Sequence, residues 1–164
     1  MLIDSSAYLR SEVIAVTDST RGKLQILLDS GVCLPNRPRD GTLLRWPANE
    51  IMLASVALKL SRLGLLLAAI RPAIDAARRE LQAGPLAVLM VEFDDAGRFK
   101  AAARLDGVVP LGGPASPSGI PADTGFRLLV DIATEARNIE VKLRQHRADH
   151  GVAQRGPRAC RKAA

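Results

Sequence analysis

Residues 17–47 read TDSTRGKLQILLDSGVCLPNRPRDGTLLRWP, and the order of signals in this stretch decides the fold. Thr17, Asp18, Ser19 and Thr20 offer side-chain oxygens to the free N–H groups of a helix start, and Gly31 supplies a stop, which predicts a helix over about 21–30. Leu24, Leu27 and Leu28 recur at helical spacing and turn inward. That leaves Thr20, Arg21, Lys23 and Gln25 pointing out. Pro35 and Pro38 then break helix, and Asp40-Gly41 is a strong turn signal. Residues 42–46 become the return strand of a two-stranded wing, with Arg37, Arg39 and Arg45 in or beside it.

On the N-terminal side a short helix is expected, beginning near Ser5 or Ser11, ending by Thr17 and burying Leu9, Val13 and Val16. On the C-terminal side Pro47 sits where a helix can start, and Ile51, Leu53, Val56, Leu60 and Leu63 follow at helical spacings. Gly64 punctuates the run before helix resumes to about Ala83. Two short helices, a wing and two longer helices make the layout of a small winged helix-turn-helix. In such a fold Thr20, Arg21, Lys23 and Gln25 would face a DNA groove, while Arg37, Arg39, Thr42 and Arg45 would lie on the phosphate backbone.

The order Leu24, Gly31-Val32, Pro35, the Gly41 turn, Arg45-Trp46, Ile51, Gly64 and Ile70 resembles the MerR-type transcriptional regulators in spacing as well as residue type. The resemblance covers roughly residues 9–75. It implies a second helix that reads the major groove, a wing on the adjacent backbone, and homodimerisation through a helix that follows the DNA-binding half. Two departures stand out: Gln25-Ile26-Leu27 where the family typically carries Arg-Tyr-Tyr, and Leu43-Leu44 where a wing Arg is usual. The cysteine-rich loops of its metal-sensing members are absent, so no metal effector is implied. Promoter distortion, the family's mode of activation, enters by resemblance alone.

Beyond Gly84-Pro85 the character changes. Residues 86–93 and 98–105 flank Asp94-Asp95-Ala96-Gly97 and predict a β-hairpin, whose first strand is apolar on both faces and so is expected between two covering surfaces. Residues 107–121, rich in Gly and Pro, predict a linker. Asp123 or Thr124 would cap a last helix running to about His150. Leu129, Ile132, Ala136, Ile139 and Leu143 step through it by threes and fours, an a/d seam about two heptads long. A seam that short fits intramolecular packing as well as a dimer interface; the family resemblance favours the dimer. The expected fold class is therefore mostly α with small β elements. It divides into a winged helix-turn-helix over 1–84, a hairpin plus helix for dimerisation or interaction over 85–150, and a disordered basic tail over 151–164.

Composition agrees with a polyanion partner. The 164-residue chain is 48% apolar and carries a net charge of +6, with an isoelectric point near 10.0. Both ends are basic: residues 151–164 hold Arg155, Arg158, Arg161 and Lys162 and no acid. Two distant cysteines and no secretory signal point to a reducing cytoplasm, and the Ala-, Arg- and Leu-rich usage suggests a bacterial protein. A membrane span over 51–74 is disfavoured by Lys59, Arg62 and Arg71 within it. His146 and His150 stand four apart without a third ligand, so no metal site is expected, and Cys33 and Trp46 are assigned to packing. No nucleophile elbow, P-loop or dinucleotide fingerprint occurs, so neither catalysis nor a cofactor is expected. The functional expectation is a MerR-like regulator of double-stranded DNA, with any effector unknown. The alternatives are a protein-interaction or small-ligand module on the same scaffold and an excisionase-like DNA-bending protein.

Overall fold

Leu24 and Leu27 are driven inward from a nine-residue helix, and the rest of the N-terminal half assembles round them. A computed structural model of the chain describes residues 8–36, 43–105 and 125–149. Within these, the elements run α1 (Arg10–Val16), α2 (Arg21–Asp29), α3 (Ala48–Arg62), α4 (Leu67–Ala83), β1 (Val88–Asp94), β2 (Phe99–Leu105), β3 (Gly125–Asp131) and α5 (Ile132–Asp149). Among the described residues the class is mixed α and β, more than half helical: five helices with a three-stranded antiparallel sheet in place of the single hairpin expected.

The first four helices follow the expected order. Thr20 caps α2 by accepting the Lys23 N–H at 3.3 Å. Gly31 ends the helix at φ +70°, the left-handed region where glycine is free of side-chain clash. Pro47 precedes α3 and Gly64 separates α3 from α4. Of the expected wing, one antiparallel bridge is seen, Asn36 with Arg45, bonded in both directions at 2.8 and 2.9 Å. Arg37, Arg39, Asp40-Gly41 and Thr42, on which the rest of that expectation falls, lie outside the described residues. The next residue, Trp46, pairs instead with Tyr8 ahead of α1.

The sheet corrects the reading of the C-terminal half. Residues 125–131 form β3, where the start of the last helix was expected, and β3 pairs antiparallel with β1 on the side away from β2. β1 is thus central, with Leu89, Val91 and Phe93 buried on the face toward the helices and Val88, Met90 and Glu92 half-buried on the other. Phe93 stacks on Phe126 at 5.1 Å and meets Phe99 edge-on at 6.4 Å. Gly125 is required by close approach: a Cβ there would stand 2.4 Å from the Phe93 carbonyl oxygen. The expected caps Asp123 and Thr124 lie outside the described residues. Asp131 caps α5, accepting from the Thr134 N–H and hydroxyl at 2.8 Å each. Bonds from the Thr134 amide and then its hydroxyl hold the Asp131 carboxyl below the usual carboxylate range.

Leu129 consequently belongs to a strand and not to the helical seam. The other seam residues, Ile132, Ala136, Ile139 and Leu143, are buried within the chain, where α5 packs on α1 and α3. One hydrophobic cluster runs from Tyr8 and Val13 through Ile51 and Ile70 to Phe93 and Leu143, so the halves separated at Gly84 share a core. Among the described residues no helix is long and apolar enough to cross a membrane.

Candidate nucleic-acid interface

The α2 surface is built by the leucines beneath it. With Leu24 and Leu27 fixed in the core, Thr20, Arg21, Lys23 and Gln25 are all exposed, as their helical positions dictate. Neither the Arg21 nor the Lys23 side chain forms an ion pair or hydrogen bond among the described residues, so two cations stand uncommitted one turn from the helix start.

Gln25 is committed in part. Its Oε1 accepts from Arg10 Nη2 at 2.8 Å and its Nε2 donates to Asp29 Oδ1 at 2.6 Å. These two bonds fix which end of the amide faces which neighbour and leave one N–H and one lone pair for a base edge. Arg10 also donates to the Arg21 carbonyl at 3.3 Å, while its Nε is buried without a partner among the described residues. Arg10 is the one member of this surface that the sequence did not point to. It stands on α1, 15 positions from Gln25, and only the packing of α1 against α2 brings it to this face.

Arg45 is half-buried, its backbone fixed by the bridge to Asn36. Trp46, the next residue, is fully buried in the core cluster. Arg37, Arg39 and Thr42 cannot be placed against this face, since they lie outside the described residues.

The loop after α2 is fastened from behind. Glu50 is buried and receives Arg78 in a fork, Nε to Oε1 at 2.7 Å and Nη2 to Oε2 at 3.1 Å. Glu50 Oε2 also accepts the Leu34 N–H at 2.9 Å, and Arg78 Nη2 donates to the Val32 carbonyl at 2.9 Å. Burial disfavours the Arg78 charge, but its bonds and proximity to Glu50 and Asp75 outweigh this and raise its pKa above the ordinary guanidinium value. The network joins α3 and α4 to residues 32–34 and so fixes the direction in which α2 leaves the body. Cys33 lies in the same loop; burial first, then the Glu50 charge, pushes its thiol up to about 12. It is a neutral packing residue at ordinary pH.

A second feature lies between α1, α3 and α5, a cleft of about 320 Å³ lined by Lys59, Arg62, Lys142 and Asp18. At its side the buried Glu135 accepts from Ser55 and Lys59. Its cations are engaged: Lys142 pairs with Asp18 at 2.5 Å and Arg62 donates to the Asp18 carbonyl at 3.3 Å. Arg147 of α5 bonds Glu12 at 3.2 Å and lies 4.3 Å from the centre of the Tyr8 ring. Arg147 thus fastens α5 to α1, and Lys142 fastens it to the turn that follows α1. Among the described residues no three His, Cys, Asp or Glu side chains gather as metal ligands, and His150 lies outside them.

No protein-family model matches the chain, and comparison with curated proteins finds no match either.

Proposed function

We propose that the chain is a DNA-binding transcriptional regulator that sets α2 in the major groove and the wing on the neighbouring phosphates. The observation that carries this reading is the pairing of Arg21 and Lys23, exposed and uncommitted, with the buried Leu24 and Leu27 that hold their helix rigidly against the body. Rigid placement lowers the entropy cost of docking a helix, and the net charge of +6 adds long-range attraction to phosphate. Arg10 joins them as the residue that orients Gln25, and Arg45 supplies a cation at the wing base.

The test is a titration of the full chain into a labelled duplex from upstream of its own gene and into a scrambled duplex, at low and moderate salt. Preferential binding of the upstream duplex, falling steeply with salt, is the expected result for a sequence-reading regulator. Equal affinity for both duplexes would indicate an architectural, DNA-bending role. Replacing both Arg21 and Lys23 with Ala is expected to lower affinity at least tenfold at fixed salt. Unchanged affinity in a folded double variant would overturn the groove assignment.

One observation favours a second reading, a protein-interaction module on the same scaffold. Ile26 and Leu34, both 53% exposed, and Leu43, 57% exposed, lie on or beside α2 and the wing base, where an apolar surface suits a protein partner better than phosphate. Absence of salt-sensitive binding to any duplex would favour it.

A further inference from the structure

The two edges of the sheet are finished differently. β2 carries a bulge opposite Glu92 and Phe93, displays Lys100 at that bulge, and lies against α4. A bulge, a lysine and a covering helix are the usual means of keeping an edge strand from pairing with another chain. Among the described residues β3 has none of them. Its sequence GFRLLVD contains no proline and no lysine, and all seven residues pair with β1 in unbroken register. The side of β3 turned from β1 makes no backbone hydrogen bond among the described residues. Leu129 is 47% exposed on this strand, and beside it a cleft of about 280 Å³ opens toward Leu60 and Leu63 of the α3 end, Leu63 being 68% exposed.

We propose that the β3 edge is a homodimer interface, in which β3 pairs antiparallel with β3 of a second copy about a two-fold axis at Leu129. The occupant is argued from the strand's own charges. Arg127, Leu129 and Asp131 share one face because side chains alternate along a strand. Antiparallel pairing centred on Leu129 sets Arg127 opposite the partner's Asp131 twice over and Leu129 against the partner's Leu129. Opposite charges directly across a strand pair stabilise it, and the apolar centre is covered. A parallel pairing, or one centred elsewhere on the strand, would lose this match. Among the described residues the Arg127 side chain bonds only Glu92, through Nε at 3.4 Å and Nη2 at 3.3 Å, long enough to be exchanged or shared. The result is a six-stranded sheet closed by a two-fold axis, an isologous interface that ends assembly at two copies. This dimer does not use the helical seam of α5, which the core already occupies.

The inference rests on the strand edges and not on DNA binding, so each can fail alone. The test is sedimentation of the full chain over a range of concentrations, without DNA. A reversible monomer–dimer equilibrium is expected, weakened at least tenfold by Arg127→Glu and by Leu129→Lys, with far-UV circular dichroism unchanged. Leu129→Cys, in a chain carrying Cys160→Ser, is expected to form a disulfide-linked dimer under mild oxidation, because residues opposite one another in an antiparallel pair have Cα atoms about 4.5–5.5 Å apart, within disulfide reach. Should Leu129→Lys misfold, Arg127→Glu and the cross-link decide. A chain that stays monomeric at the highest reachable concentration would overturn the proposal, as would a dimer that resists Arg127→Glu and is not cross-linked at position 129.

Discussion

Glu50 and Arg78 hold the loop that follows α2, and they stand 28 positions apart in the chain. Nothing local in the sequence marks either as special: Glu50 sits in the first turn of a helix, where any acid is welcome, and Arg78 is one of two adjacent arginines. Their importance comes from burial. Removing Glu50 would leave a mostly buried guanidinium without its forked partner and a Leu34 N–H without an acceptor. Glu50→Ala is therefore expected to cost about 3 kcal/mol in chemical denaturation, the typical penalty for breaking a buried pair from one side. A loss below about 1 kcal/mol, the level of a surface pair, would show the network to be dispensable. The exposed cations of α2 are the opposite case. Arg21 and Lys23 were legible from sequence because exposure on a short helix follows from the position of its leucines, whereas Arg10 was not, because it reaches Gln25 only across an interhelical contact.

At the scale of elements, α5 shows the limit of periodicity. Steps of three and four from Ile132 to Leu143 mark one apolar face, but the same face serves a partner helix or the chain's own core. Here it packs on α1 and α3, with Lys142 and Arg147 tied to Asp18 and Glu12. Ile139→Ala is expected to destabilise the fold by about 2–5 kcal/mol through the cavity it leaves, measured by urea denaturation at a concentration where the chain is monomeric. A variant of wild-type stability with weakened self-association would return the seam to a dimer interface. The same periodicity misplaced Leu129, three positions before Ile132, because a strand that runs straight into a helix can mimic one more helical step. Alternation was the better signal there: the central β1 had room for a partner on each side, and Phe126, Leu128 and Val130 provide a face for it.

For the molecule as a whole, the shared core matters more than the boundary at Gly84. The single hydrophobic cluster joins α3 to α5 and extends beneath the sheet, so the N-terminal helical half and the sheet half are expected to unfold together. The only tryptophan, Trp46, is buried in the first half, while far-UV circular dichroism reports the backbone throughout. Urea transitions followed by the two probes should coincide within error; a midpoint for Trp46 distinct from that of the backbone signal would establish two separable units. Mutations in α5 should accordingly lower the stability of the α2 surface without touching it.

The sequence by itself determined the first four helices, the hairpin turn, the glycine stop at Gly31 and the outward cations of α2, because each follows from signals within a few residues: caps, breakers and the 3.6-residue period. Tertiary structure alone decided that α5 folds back on α1 and α3, that β3 completes the sheet, that Glu50 meets Arg78, and that one core serves both halves. These are contacts between residues far apart in the chain. Burial of apolar area is non-directional, so a pattern specifies that a face must be covered while only the assembled fold determines what covers it.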